Sequence, residues 1–249
     1  MDQAGVEPGT VVVVTGGARG IGAELCRHLA AEGAAVVAAD VADPEWDAGD
    51  LEVTHERVDV SDEASWQRLV DAVLERHGRI DALVNNAAIY QGLGAKRHFT
   101  EIAVEEWDRV LAVNTRGVWL GMRAVHPAMK AQGHGRVVNI ASSTVHMGVP
   151  YFAHYTASKG AVIALTRSVA REVGQDGITV NAIAPGLVET EATRSLNDEE
   201  YLAAAAVRRA IPRAQEPGDL APVVSFLCSR GSGFVTGQTL IVDGGLAFS

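Results

Sequence analysis

Cysteine is nearly absent from this chain. Two residues, Cys26 and Cys228, stand far apart in 249 residues. That excludes a disulfide framework and any CxxC redox or metal motif, and predicts two reduced thiols in a packed interior. Aromatic residues are also scarce, at 5% against 47% apolar residues in all. The core must therefore be built from Ala, Val, Leu and Ile, which suits helices packed closely on a buried parallel sheet. Positive charge is in deficit: the formal net charge is −10. Nucleic acid and anionic membranes are thereby excluded as partners, because both demand a basic face. No apolar run approaches the ~20 residues of a membrane span. The first ten residues carry Asp2 and Glu7 and no basic residue, so they read as neither signal nor transit peptide. The expected location is the cytoplasm.

What the chain does have is regular alternation of strand-like and helix-like segments, with no linker and no repeat. Residues 10–15 (TVVVVT) form a β-branched run ending at glycines, the pattern of a strand buried on both faces. A helix follows over 20–32, and Gly33 can cap it. Further strands are predicted at 34–40, 51–59, 80–84, 136–140, 178–183 and 238–242. Ser61 reads as the N-cap of a helix that carries Trp66, Leu69, Val70, Val73 and Leu74 at helical spacing and stops at Gly78. Long helices are expected over 104–132 and 155–174. Repeated βα units give an α/β fold of one domain, a doubly wound parallel sheet of seven strands with helices on both faces. Ligands of such sheets bind beyond the carboxyl ends of the strands, where the strand order reverses. Residues 41–50 break the pattern, being too short and too rich in Asp, Gly and Pro for a full helix.

The first strand–helix junction reads Thr15-Gly16-Gly17-Ala18-Arg19-Gly20-Ile21-Gly22. Glycines allow a tight turn and close approach of backbone to a pyrophosphate, and the helix start offers free N–H groups. Asp40 ends the second strand, where an acid can accept hydrogen bonds from adenosine ribose hydroxyls. Two added negative charges of a 2′-phosphate at ~4 Å from this carboxylate would cost roughly 2 kcal/mol in water. Residues 41–50 contain no Lys or Arg and add Asp43, Glu45, Asp47 and Asp50. Arg19 is the single counter-signal. The balance predicts NAD(H).

Tyr155 and Lys159 stand four apart at the start of a helix and share one face. A tyrosine base near neutrality needs its pKa lowered by roughly 3 units, about 4 kcal/mol, and a neighbouring cation is the group to supply that. Ser142, thirteen residues before Tyr155, can hydrogen-bond a substrate oxygen as charge develops on it, although Ser143 beside it is an equal candidate on position alone. Asn114 lies mid-helix, where asparagine is a poor former, so either a helix distortion or a functional contact must hold it there.

Jointly these residues resemble the short-chain dehydrogenase/reductases of single-domain size, along essentially the whole chain. The matches are TGGARGIG from Thr15, Asp40, Asp59-Val60, Asn85-Asn86-Ala87, Asn114, Ser142, Tyr155 with Lys159, Pro185-Gly186 and Val242-Asp243-Gly244-Gly245. The resemblance implies a Rossmann-type fold and a homotetramer. Residues 1–140 would form the cofactor half, 141–249 the catalytic half, and 190–213 a lid. Catalytic roles fall on Asn114 (holding a relay water), Ser142 (polarising the carbonyl), Tyr155 (acid/base) and Lys159 (binding the ribose and lowering the tyrosine pKa). Cofactor contacts fall on Gly16, Arg19, Gly20, Ile21, Gly22, Asp40, Val41, Asp59, Val60, Asn86, Ala87, Tyr155, Lys159, Pro185, Gly186, Val188 and Thr190. Transfer of the pro-S hydride is implied. Ala88 replaces the glycine that commonly closes Asn-Asn-Ala-Gly, and Ala141 stands where many members carry a serine. By the same analogy the substrate pocket takes Ile89, Tyr90, Gln91, Thr144, Val145, His146, Tyr151, His154, Leu187 and Glu189.

Within the family, residues 154–195 and 210–245 look most like secondary-alcohol dehydrogenases of the 1-phenylethanol type. The expected substrate is a small secondary alcohol or ketone, apolar, aromatic or cyclic. An NADPH-linked carrier-protein 3-oxoacyl reductase is the rival, weakened by Gln132-Gly133-His134 and Gln175-Asp176 at turns where that group presents basic residues. A dinucleotide sensor without turnover would have no need of Tyr155. A serine hydrolase is excluded, as no G-x-S-x-G occurs. No metal is expected, since His146 and His154 have no third ligand. Arg208 and Arg209 could bind an anionic tail, but a solvated helix face is the better reading.

Overall fold

The computed structural model describes residues 5–90, 93–94 and 96–248. Among them, seven strands form one parallel sheet in the order β3-β2-β1-β4-β5-β6-β7. The strands are β1 (Val11–Thr15), β2 (Ala35–Asp40), β3 (Val53–Arg57), β4 (Ala82–Asn85), β5 (Gly135–Ile140), β6 (Ile178–Pro185) and β7 (Thr239–Val242). Helices α1 (Gly20–Ala31), α2 (Glu63–His77), α3 (Val104–Leu111), α4 (Gly117–Gln132), α5 (Thr144–Met147), α6 (Ala153–Val173), α7 (Glu191–Leu196), α8 (Glu199–Val207) and α9 (Ala221–Cys228) complete it. This is the Rossmann-type doubly wound architecture expected from the alternation.

Strand alternation sorts the core into two layers. Val11 and Val13 pack with Trp66, Val118, Val137 and Val162 on one side of the sheet. Val12 and Val14 pack with Leu25, Leu29, Val224 and Leu227 on the other. Both faces are covered, which is why β1 can be a continuous apolar run. The core is aliphatic as the composition required, with Trp66 the largest fully buried side chain. Cys26 and Cys228 are buried free thiols, and burial pushes each up to about 12.

Three local expectations change. The cap of α2 is Asp62, not Ser61: its carboxylate accepts from the Ala64 and Ser65 amides. Ser61 instead donates its hydroxyl to Asp59. A carboxylate is the stronger acceptor and also favours the positive end of the helix dipole. The helix predicted over 104–132 is divided by a π-turn at Ala112–Arg116 with Asn114 at its centre. The strand predicted over 51–59 shrinks to Val53–Arg57, since only that stretch pairs with β2.

The strand order reverses between β1 and β4, and here the chain is fastened. The Asn86 carboxamide donates to the carbonyls of Thr15 and Gly16, while the Thr15 hydroxyl oxygen accepts from the Asn86 and Ala87 amides. The carboxyl ends of β1 and β4 are thus locked side by side beneath one cleft.

Candidate active site

A cleft of about 1070 Å³ opens along those carboxyl ends, larger than one drug-sized ligand needs. All seventeen residues assigned to the cofactor line it, from Gly16, Arg19, Gly20, Ile21 and Gly22, through Asp40, Val41, Asp59, Val60, Asn86 and Ala87, to Tyr155, Lys159, Pro185, Gly186, Val188 and Thr190. The glycine turn is built for close approach. A Cβ on Gly22 would lie 1.9 Å from the Gly16 carbonyl oxygen, and one on Gly16 would lie 2.9 Å from the Ala87 Cα. The start of α1 has no side-chain cap, so the amides of its first turn remain available to an anion. These features fit a dinucleotide pyrophosphate.

Residues 41–50 fold back over this turn instead of forming a helix. The Trp46 indole N–H donates to the Gly17 carbonyl at 2.9 Å, and the Glu45 amide donates to Ala18. Asp40 is held by the Ala18 and Ala42 amides at 3.0 and 3.1 Å. Arg19 is paired with Glu45 at 3.1 Å, so its guanidinium is engaged by the acidic loop.

The chemical end lies on the other side of the glycine turn. β5 leads to Ser142, and the first two turns of α6 deliver Tyr155 and Lys159, all three lining the cleft. Ser142 lies close enough to Tyr155 to oppose the rise of the phenol pKa. The Ser142 hydroxyl oxygen also accepts from the Thr144 amide and hydroxyl, at 3.3 and 3.0 Å. Ser143 is buried with a hydroxyl that has no protein partner.

Lys159 departs from the sequence expectation. Its ammonium donates to the Ile140 carbonyl at 2.7 Å and lies 5.8 Å from the Tyr155 ring centre. Burial dominates both groups. It raises the phenol above its ordinary value, with Tyr90 adding to the rise and Ser142 opposing it. It pushes the lysine down to about 8. The cation at this distance does not by itself overcome the desolvation of a phenolate.

Asn114 does not line the cleft. It is fully buried, its carboxamide oxygen accepts from the Ile89 amide at 2.7 Å, and its NH₂ donates to the Ile89 carbonyl and to the Ser158 hydroxyl, each at 3.2 Å. The asparagine sits in a helix distortion, and its side chain ties the segment after β4 to α6.

The predicted substrate pocket divides. Ile89, Tyr90, Thr144 and Leu187 line the cleft; His146, Tyr151, Val145, His154 and Glu189 do not. His146 is exposed on α5. Tyr151 is the one non-glycine residue with positive φ among the described residues, at 61°. That backbone turns its ring outward, 57% exposed, and the cleft is lined by Val149, Pro150 and Phe152 instead. Val145 packs against the core. His154 is buried against Glu106 at 3.0 Å, and Glu189 pairs with Arg194. Gln91 lies outside the described residues. Arg209 is buried, donating to the Leu187 and Arg213 carbonyls, not solvated. Arg208 lines the cleft.

Sequence reasoning missed Lys96, Phe152 and Tyr201. One signal was there to use: Tyr201, Ala204, Ala205 and Arg208 follow the i, i+3, i+4, i+7 spacing of a single helix face, and all four line the cleft.

Fold and site define an α/β dinucleotide-binding oxidoreductase. A family model described as enoyl-(acyl carrier protein) reductase matches residues 16–247. The chain is 40% identical over 241 residues to a 3-alpha-(or 20-beta)-hydroxysteroid dehydrogenase of Mycobacterium bovis, covering 95% of this chain and 89% of that one. It is 38% identical over 245 residues to a cyclopentanol dehydrogenase of Comamonas sp., with 94% and 96% covered. Its structure resembles that of a gluconate 5-dehydrogenase from Burkholderia cenocepacia in complex with NADP and tartrate, with TM-score 0.88, 35% identity and coverage of 97% and 96%. The chain belongs to the short-chain dehydrogenase/reductase family. It is an oxidoreductase of alcohols and ketones that binds a nicotinamide dinucleotide. No described helix is long and apolar enough to cross a membrane.

Proposed function

We propose that the chain is an NAD(H)-dependent dehydrogenase that interconverts a small secondary alcohol and its ketone. The observation that carries this reading is the convergence of Ser142, Tyr155 and Lys159 on one cleft wall, with Lys159 one turn beyond Tyr155 on α6. Tyr155 takes the proton from the substrate hydroxyl and returns it in the reverse direction. Ser142, steadied by Thr144, donates to the same oxygen as negative charge develops there. Lys159 holds a proton close to the point where Tyr155 must lose one, and Asn114 keeps Ile89 and Ser158 in register behind them. A bound nicotinamide supplies the hydride acceptor and donor and, when oxidised, a positive charge. Tyr90 and Phe152 stand edge-on and stacked against Tyr155, at 5.4 and 4.7 Å between ring centres, an apolar surface suited to a cyclic or aromatic substrate body.

The preference for NAD rests on Asp40 and on the pairing of Arg19 with Glu45. The structural relative that carries NADP sets the counter-case, which a test at Asp40 decides. The homotetramer, implied by the family resemblance, and the cytoplasmic location are part of this proposal. The 37% identity over 245 residues to a 3-oxoacyl-[acyl-carrier-protein] reductase of Thermotoga maritima favours a second reading, reduction of a thioester-bound 3-oxoacyl chain. Tyr155→Phe tests the first. Turnover should fall by about three orders of magnitude or more while NADH affinity, read by fluorescence titration, stays within a few-fold. Retained turnover contradicts the assignment.

A further inference from the structure

The cleft is electrically lopsided. On the side of β2 and β3 its lining carries Asp40, Glu45 and Asp59, with Arg19 paired to Glu45; on the other side it carries Lys96, Arg109 and Arg208 and the buried Lys159, with Glu191 the carboxylate found there among the lining residues. Of the 21 Lys and Arg residues, nine lie within ion-pair distance of a carboxylate. Lys96 and Arg208 are not within ion-pair distance of one among the described residues.

Lys96 is also held in place. Its ammonium lies 4.5 Å from the Tyr201 ring centre and 6.0 Å from that of Phe152. It donates to the Tyr201 hydroxyl at 3.3 Å and to Asn197 at 3.5 Å. The next residue is anchored: the Arg97 amide donates to the Tyr151 carbonyl, and its guanidinium meets Glu106 at 3.2 Å. Glu106 in turn holds His154, directly before the catalytic tyrosine. The lysine is therefore tied, through Phe152, to the ring stacked on Tyr155. Beyond it, α8 offers two alanines between Tyr201 and Arg208, an uncrowded floor on one helix face.

We propose that the substrate of this cleft bears an anionic group, a carboxylate or sulfonate, which Lys96 receives across a short apolar spacer from the reacting carbon, with Arg208 reinforcing the positive field. The proposal rests on the secondary-alcohol reading for its chemistry. Two aromatic rings and neutral acceptors, with no carboxylate, surround the exposed ammonium at the edge of the cleft, which leaves it open to an anion. A neutral alcohol leaves this cation without a counter-charge.

Matched ketones test it: 4-acetylbenzoate, 4-acetylbenzenesulfonate and the neutral 4-acetylbenzamide. Each is measured for NADH-dependent turnover and, by calorimetry, for binding to the NADH-saturated enzyme. The proposal expects the anions to exceed the amide about tenfold in kcat/KM or affinity, with added salt eroding the difference. Lys96→Met should reduce that anion-to-amide ratio about five- to tenfold, and Arg208→Gln should reduce it less. If amide and anions are turned over equally, or if Lys96→Met lowers all three alike, the proposal falls and the alcohol reading stands. If the anions bind in a Lys96-dependent way without turnover, the proposal stands and the alcohol reading falls. Absence of both binding and turnover for every ligand overturns both.

Discussion

Cofactor choice turns on Asp40, and the structure lets the effect of its removal be sized. The carboxylate is held by two backbone amides at the end of β2, so it stays where an adenosine ribose must pass. A 2′-phosphate brings about two negative charges. At ~4 Å and the dielectric of water each interaction with the carboxylate costs about 1 kcal/mol, roughly 2 kcal/mol together. At 1.4 kcal/mol per factor of ten, that is about thirtyfold in affinity. Asp40→Ala should therefore reduce the ratio of kcat/KM for NAD over NADP by about thirtyfold. Asp40→Asn, which keeps the shape and removes the charge, should recover much of the same change. The assay is initial-rate kinetics with one alcohol and both cofactors. Arg19→Ala is the control, because a guanidinium committed to Glu45 should contribute little to NADP binding. An unchanged ratio in both Asp40 variants refutes the reasoning and leaves the neighbouring acidic loop, or nothing, to read the ribose.

Further outcomes follow from the same geometry. The folded-state pKa of Lys159 is pushed down to about 8 from 10.5, so between those pH values the unfolded chain binds the extra proton. Stability then rises with pH across that window, by at most about 1.4 kcal/mol per pH unit from this group. Denaturant titrations should show wild type gaining on Lys159→Met between pH 8 and pH 10; a constant gap would contradict a desolvated lysine. Gly22→Ala places a methyl against the Gly16 carbonyl oxygen, and NADH binding should be lost even in protein that remains folded by circular dichroism. Glu106→Gln removes the carboxylate that bonds His154 and pairs with Arg97 and should destabilise the fold by about 1–3 kcal/mol, read as a fall in the thermal midpoint.

The cofactor end was legible in the sequence because it depends on backbone. Gly16, Gly20 and Gly22 declare a turn through the side chains they lack, and Asp40 declares itself by closing an apolar strand. Ser142, Tyr155 and Lys159 were legible through spacing, since a strand end and one turn of α6 fix their approach. The substrate wall was not legible in this way. Tyr151 points outward because its φ is positive, a property no residue pattern reveals for a tyrosine. Phe152 takes its place through packing on Tyr155 and Tyr90, which lie at distant points of the chain. His154 was read as a polar wall because Glu106, its partner 48 residues earlier, is brought to it by tertiary structure alone. Burial raises the Tyr155 phenol in the cofactor-free cleft, a desolvation that spacing in the sequence does not report.

The most direct measurement of the central claim is nicotinamide absorbance at 340 nm with the purified protein. It crosses NAD and NADP with 1-arylethanols, cyclic alcohols, sugars and 3-hydroxyacyl thioesters, and the reverse reactions with NADH and NADPH. The account predicts oxidation of aryl or cyclic secondary alcohols with NAD, abolished by Tyr155→Phe. Thioester reduction with NADPH, at rates that the alcohols do not approach, would contradict it and establish the carrier-protein reading in its place.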